Sequence, residues 1–363
     1  MRLAIRGDAD SFRVGTLRFS NFYKYSLFNR IFIVLGLFAP FLIIQNADAV
    51  KLSCSTRLSP ASVEAQVVKV SELTNPEVGS IFENYPQIKK GMLEQLALVR
   101  RTTIEINSMP SGVMSPEQIF SRGMSLRKQI VLSLRDYRIN CQACEPFQRE
   151  VDQILGRIEA LTLVLELKRE EEIGKISENL SGHYGGQVIR NLVGDILGQV
   201  TELYGFGMLN NPRRGIKMGP YLATLFHAPP RSVRDTFKDR GIEVRMLDKE
   251  IDLMTNSDRV WVEVKAFDVE SPGTSWRFKL ISQMNDHLML MKRLSVGITY
   301  ASGTSQQRLV VGNGQKLRYF FLGSLPADLR DELVAAAKSE LEALNKAYGG
   351  QALSVEFASI PLQ

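Results

Sequence analysis

Two acids, a turn and then an acid and a lysine stand close together in Glu250-Ile-Asp252-Leu-Met-Thr-Asn256-Ser257-Asp258-Arg-Val260-Trp261-Val262-Glu263-Val264-Lys265. Asn256, Ser257 and Asp258 favour a tight turn, so the run reads as two strands of a hairpin. Side chains alternate along a strand, which groups Val260, Val262 and Val264 on one face and Trp261, Glu263 and Lys265 on the other. A turn centred between Ser257 and Asp258 sets Asp252 across from Glu263 and Glu250 across from Lys265. Opposed residues have Cβ atoms roughly 5 Å apart. Two carboxylates that close repel unless a cation lies between them, and Mg²⁺ favours oxygen ligands while needing few from the protein. Asp252 and Glu263, with the Val264 carbonyl, are therefore the candidate ligands of Mg²⁺ or Mn²⁺. Such an ion would polarise a phosphate oxygen and acidify a bound water, while Lys265 orients or deprotonates that water.

Glu-x-Lys alone carries little information. Glu166-Leu167-Lys168 repeats the pattern inside a helical stretch, where positions two apart face away from each other. Strand context, and the Glu250-x-Asp252 strand upstream, set Glu263-x-Lys265 apart. A salt-bridged surface hairpin is the bland alternative.

Other elements must hold this hairpin in place. Residues 59–175 read as mostly helical, with Ser115-Pro116-Glu117 as a helix start and a long helix expected over 145–175. The latter carries Val151, Ile154, Leu155, Ile158, Leu161 and Leu165 at helical spacing. Its charged run, residues 166–172, reads as a solvated face. Glycines at 174, 182, 185 and 186 mark a boundary, giving a helical domain over 50–175 and a second domain over 176–363. The second begins with a buried helix over 187–204. A loop centred on residues 210–215 follows. Strands are expected near 242–245, 250–254, 260–267, 295–300, 308–311 and 317–322, with helices over 279–294 and 327–346. Strands and helices mixed in one segment indicate an α/β or α+β domain.

The hairpin resembles the core of the PD-(D/E)XK nuclease superfamily, in particular its restriction-endonuclease-like and Holliday-junction-resolvase-like branch. The resemblance rests on Glu250-Ile-Asp252-Leu, a short turn and Val260-Trp-Val-Glu263-Val-Lys265, and extends over roughly 180–355. It implies a restriction-endonuclease-like α/β fold, a mixed sheet flanked by helices, and Mg²⁺-dependent phosphodiester hydrolysis of nucleic acid, DNA before RNA. The family's metal-binding Asp falls on Asp252, its Glu on Glu263 and its catalytic Lys on Lys265. Members commonly add an acid from the helix before the hairpin, here Asp195 after Gly194, or Glu202. A later helix often supplies a polar residue, and Gln283 fits, with His287 one turn on. His287 reads equally as a satisfied buried histidine, and His183 and His227 have no partner in the sequence that makes them ligands. Arg213, Arg214 and Lys217, and the Trp276-Arg277 pair, are candidate substrate contacts. Homodimers are common among such proteins. A catalytically inactive binding or scaffolding protein of the same fold is the competing functional reading.

Hydrophobic and charged fractions of 44% and 23% belong to globular proteins. The N-terminal 49 residues run from a basic stretch through an uncharged apolar segment, residues 31–44, to Ala47-Asp48-Ala49. That order reads as a cleaved export signal. Pro40 and the short length argue against a spanning helix, a retained inner-membrane anchor being the alternative. Removing the leader takes away six basic and three acidic residues and lowers the formal charge from +6 to +3. The expected product is a mildly basic periplasmic or secreted protein. Cys54, Cys141 and Cys144 allow a disulfide there, as Cys141–Cys144 or through Cys54.

Overall fold

A computed structural model describes residues 68–362, apart from 109–112, 141–144, 182–189, 240–246, 258, 266–273, 297, 303–304, 310–313 and 350–351. The leader, the three cysteines, His183 and the strand expected near 242–245 lie outside the described residues.

The chain is mixed α/β. A six-stranded mixed sheet has the order β1-β8-β7-β4-β3-β2, with β1 Lys69–Glu72, β2 Pro212–Lys217, β3 Glu250–Thr255, β4 Val260–Lys265, β7 Lys316–Leu322 and β8 Ser354–Ile360. Strands β4, β7, β8 and β1 run parallel, and β3 is antiparallel to both β4 and β2. A separate ribbon pairs β5 Ile298–Ser302 with β6 Ser305–Leu309.

Helices cover both faces of the six-stranded sheet. Val262 and Val264 of β4, Phe320 of β7 and Ala358 of β8 pack into one core with the N-terminal helices α1 Ile81–Asn84, α2 Pro86–Ser108, α3 Pro116–Asn140, α4 Glu145–Leu167 and α5 Arg169–Ser181, and with α6 Asp195–Met208. Trp261, Tyr319, Phe321 and Phe357 enter a second core. There they meet α7 Met218–Phe226, α8 Pro230–Asp239, α9 Thr274–Val296 and α10 Ala327–Tyr348. Alternation along β4 and β7 thus sends successive side chains into opposite cores. Parallel strands buried on both faces need apolar residues throughout, which makes the polar Glu263 in β4 conspicuous. Residues on both sides of position 175 contribute to the first core.

The long helix expected over 145–175 is two helices, α4 and α5, parting at Lys168. The start of α3 is a capping box: the Gln118 amide donates to Ser115 Oγ (3.3 Å) and the Ser115 amide to Gln118 Oε1 (2.8 Å). A π-helical turn, Arg190–Gly194, leads into α6. Gly207 of α6 is required by packing, since a Cβ there would meet the Phe82 ring at 2.3 Å. Residues 212–217 are not a loop. They form edge strand β2, where Pro212 at the first position and Gly215 with φ +61° are tolerated because one side needs no partner.

Candidate active site

The hairpin has the expected register. Leu253 pairs with Val262 and Met254 with Trp261, and continuing that register sets Asp252 against Glu263. The described ladder stops one residue short of that pair. Beyond it the Val264 amide donates to Asp252 Oδ2 at 2.7 Å, so a side chain replaces a backbone acceptor. The strand ends therefore open where the acids lie.

Glu263 sits 1% exposed beneath this opening. Its Oε2 accepts from Lys265 Nζ at 2.8 Å and from Gln283 Nε2 of α9 at 3.2 Å. Its Oε1 is buried without a hydrogen-bond partner among the described residues. His287, fully buried, places Nε2 3.7 Å from that oxygen and Nδ1 3.5 Å from the Tyr319 hydroxyl. Tyr319 is Glu263's neighbour across the β4–β7 pairing. A column of Glu263, His287 and Tyr319 thus backs the site, and Lys265 Nζ lies 6.0 Å from the Tyr319 ring centre.

Burial pushes the Glu263 carboxyl up to about 8, with Asp252 acting in the same direction and Lys265 against it. Burial also drives the His287 imidazole down to about 3, helped by Lys265 and Lys249. At neutral pH the imidazole is uncharged, so Lys265 is the cation that touches Glu263.

A pocket of about 700 Å³ opens above these groups. Six carboxylates line it (Glu150, Glu202, Asp248, Glu250, Asp252 and Glu263) against four cations, Arg157, Arg214, Lys249 and Lys265. Such a surplus of negative charge repels an anionic substrate unless another cation enters. Among the described residues no three His, Cys, Asp or Glu side chains form a cage for one. Mg²⁺ does not need such a cage, because it keeps most of its waters and takes one or two carboxylates. Asp252 and Glu263, two carboxyl groups in the same lining, fit that demand. For Val264 the amide is engaged with Asp252, and nothing further supports its carbonyl as a ligand.

The chain matches no family model, no curated protein and no solved structure.

The helical acid at the pocket is Glu202, two turns beyond Asp195 on α6. Asp195 turns away. Arg127, wholly buried on α3, grips it with Nη1–Oδ1 at 2.7 Å and Nη2–Oδ2 at 3.0 Å, and also donates to the Leu192 carbonyl. Asp195 is thus a packing partner of the helical layer and leaves the predicted site. Asp195→Asn is expected to cost about 3 kcal/mol, because it strands a buried guanidinium. It leaves turnover of the folded protein unchanged, which chemical denaturation beside a cleavage assay checks.

Arg214 reaches the pocket from β2, where Glu202 and Glu150 (Nη1–Oε2, 3.3 Å) flank it. Burial raises the pKa of Glu202 and Glu150, and Arg214 opposes it in both. Arg213 and Lys217 are exposed on the edge strand, outside the pocket lining. Arg277 is bound to Asp328 (2.6 Å) and Glu332 (3.0 Å) of α10, and Trp276 packs on the second core, outside the pocket lining. His227 caps α7 in a left-handed conformation, φ +52°.

Parts of the site carry no local mark in the sequence. Tyr319 is one residue of the apolar strand β7. Glu150, Gln153 and Arg157 of α4 belong to the half in which no chemistry was expected, although their spacing of three and four puts them on one helical face.

Proposed function

We propose that this protein is a metal-dependent phosphodiesterase acting on nucleic acid, with Asp252 and Glu263 as ion ligands and Lys265 as the catalytic cation. The observation that carries the reading is the buried Glu263. A carboxylate 1% exposed, with one oxygen unsatisfied, a lysine on the other and Asp252 beside it, is costly to the fold. Groups perturbed in this way gather at functional sites. A cleft with six carboxyl groups against four cations suits divalent-ion chemistry better than direct capture of an anion.

The order of elements supports the restriction-endonuclease-like reading. Helix α6 leads into the antiparallel β2-β3-β4, α9 crosses over, and β7 returns parallel beside β4. The leader, residues 1–49, carries the proposal that the enzyme is exported to act on nucleic acid outside the cytoplasm.

When bound, a divalent ion supplies Lewis-acid stabilisation of phosphate charge and a more acidic water. The residues of the chain do the rest. Asp252 is fixed by the Val264 amide, and Glu263 is fixed by Gln283 and Lys265. Lys265 Nζ, beside Glu263, would hold a water in line with the phosphorus and donate to charge developing on the phosphate, the water's proton passing to solvent and the leaving oxygen taking one from a second water. Gln283 holds the Glu263 carboxylate in one rotamer through its amide NH₂.

The test is cleavage of plasmid, linear and single-stranded DNA and of RNA by the full chain, with Mg²⁺, Mn²⁺ or EDTA. Cutting that EDTA abolishes is the expected result. A folded protein that cuts none of these substrates with either ion refutes the proposal and leaves the inactive binding protein standing.

A further inference from the structure

The wall of the pocket contributed by α4 is the feature that the proposed chemistry does not use. Glu150, Gln153 and Arg157 line it, opposite in sequence origin to every residue of the hairpin. Three of the four pocket cations are already engaged: Lys265 with Glu263 at 2.8 Å, Arg214 with Glu202, and Lys249 with Asp286 at 3.1 Å. Arg157 is exposed and makes no ion pair among the described residues. Its positive field still reaches Glu150 and Glu202, whose protonation it opposes. A guanidinium with its donors unspent at the rim of a cleft is a ready phosphate ligand, since its planar fork matches two phosphate oxygens.

The size of the pocket narrows what that phosphate belongs to. A volume of about 700 Å³ is that of a small-ligand site. It has room for one or two nucleotides. Helix α4 shares this lining with the hairpin and is tied to β2 through Glu150 and Arg214 (3.3 Å), so a strand that reaches Asp252 and Glu263 passes beside it, as for enzymes that extrude a nucleotide or act on single strands.

We propose that α4 makes this site selective for single strands and strand ends, with Arg157 gripping a backbone phosphate of the strand that lies across Asp252 and Glu263. The inference rests on the nuclease reading and adds to it the form of the substrate and the residue that selects it.

The experiment is fluorescence anisotropy with the full chain and Ca²⁺ in place of Mg²⁺. The probes are a labelled single-stranded oligonucleotide, its blunt duplex, and the same duplex with a single-stranded tail. Single-stranded and tailed probes are expected to bind on the order of 10-fold more tightly than the blunt duplex. Arg157→Ala is expected to weaken single-strand binding by about 10-fold and to lower the magnitude of the salt slope by roughly 0.7, one lost phosphate contact. Arg157→Lys should restore part of both. Equal binding by wild type and Arg157→Ala, or blunt duplex bound as tightly as single strand, overturns the inference while leaving metal-dependent cleavage intact. A wild-type protein that neither binds nor cuts any of the probes overturns the nuclease reading itself.

Discussion

Lys265→Ala is expected to lower metal-dependent cleavage by about 10³-fold, through kcat, with little change in stability. Its ammonium sits 2.8 Å from Glu263 Oε2 and is largely shielded, the side chain being 17% exposed. Among the described residues no other cation contacts Glu263, because His287 is neutral and the Arg214 guanidinium is held by Glu202. Losing a positioned donor at the reacting centre typically costs 10²–10⁴ in rate. The fold is spared because removing the ammonium leaves Glu263 free to keep its proton. Lys265→Arg is not expected to rescue, since a planar fork replaces a compact charge in a closed space. Steady-state rates beside thermal unfolding check this. Retention of a tenth or more of wild-type kcat would remove Lys265 from the mechanism.

The second large effect is on stability. With divalent ions chelated, Glu263 has a folded pKa near 8 against an ordinary value of 4.5. The folded state therefore binds more protons than the unfolded one between those pH values, so this group's contribution is full below 4.5 and lost as pH rises through 8. His287 acts in the opposite sense. Its folded pKa near 3 lies below the ordinary 6.5, so its contribution is present above 6.5 and lost as pH falls toward 3. The two slopes oppose between 4.5 and 6.5, and from 6.5 to 8 only that of Glu263 remains. Each pKa unit corresponds to about 1.4 kcal/mol, so wild-type stability in EDTA is expected to fall by on the order of 2 kcal/mol over that last window. Glu263→Gln, which keeps the shape and the Gln283 contact without a titrating proton, should be flat there. Urea denaturation across the window measures both, and parallel curves would mean that Glu263 ionises freely.

The legible parts of this chain were those where local rules and tertiary demands agree. The hairpin register follows from the Asn256-Ser257-Asp258 turn and strict alternation, and β3 and β4 fall where expected because one residue of slip would drive Glu263 into the apolar core beside Val262. Gln283 was found through its place on the helix after Lys265. Asp195 misled because a Gly-Asp pair at a helix start fits a site and a structural ion pair equally well. Only Arg127, 68 residues away, decides between them. β2 was hidden by the turn-forming residues Asn210, Asn211, Pro212 and Gly215, which an edge strand accepts. Strand β8 and helices α7 and α8 went unread because their apolar residues make sense only against the sheet. Arg157 was invisible for a similar reason. An exposed arginine on an amphipathic helix has no local mark that says what it faces.

The most direct measurement is a calorimetric titration of the full chain with Mn²⁺ at pH 6.5 and pH 8.5, repeated for Asp252→Asn and Glu263→Gln. Saturable binding is expected in the wild type, with release of about one proton at the lower pH and tighter binding at the higher, because the ion must displace the Glu263 proton. Both variants should lose most of that affinity. Binding that is independent of pH and survives in both variants, or no binding at all, would contradict a metal site at Asp252 and Glu263.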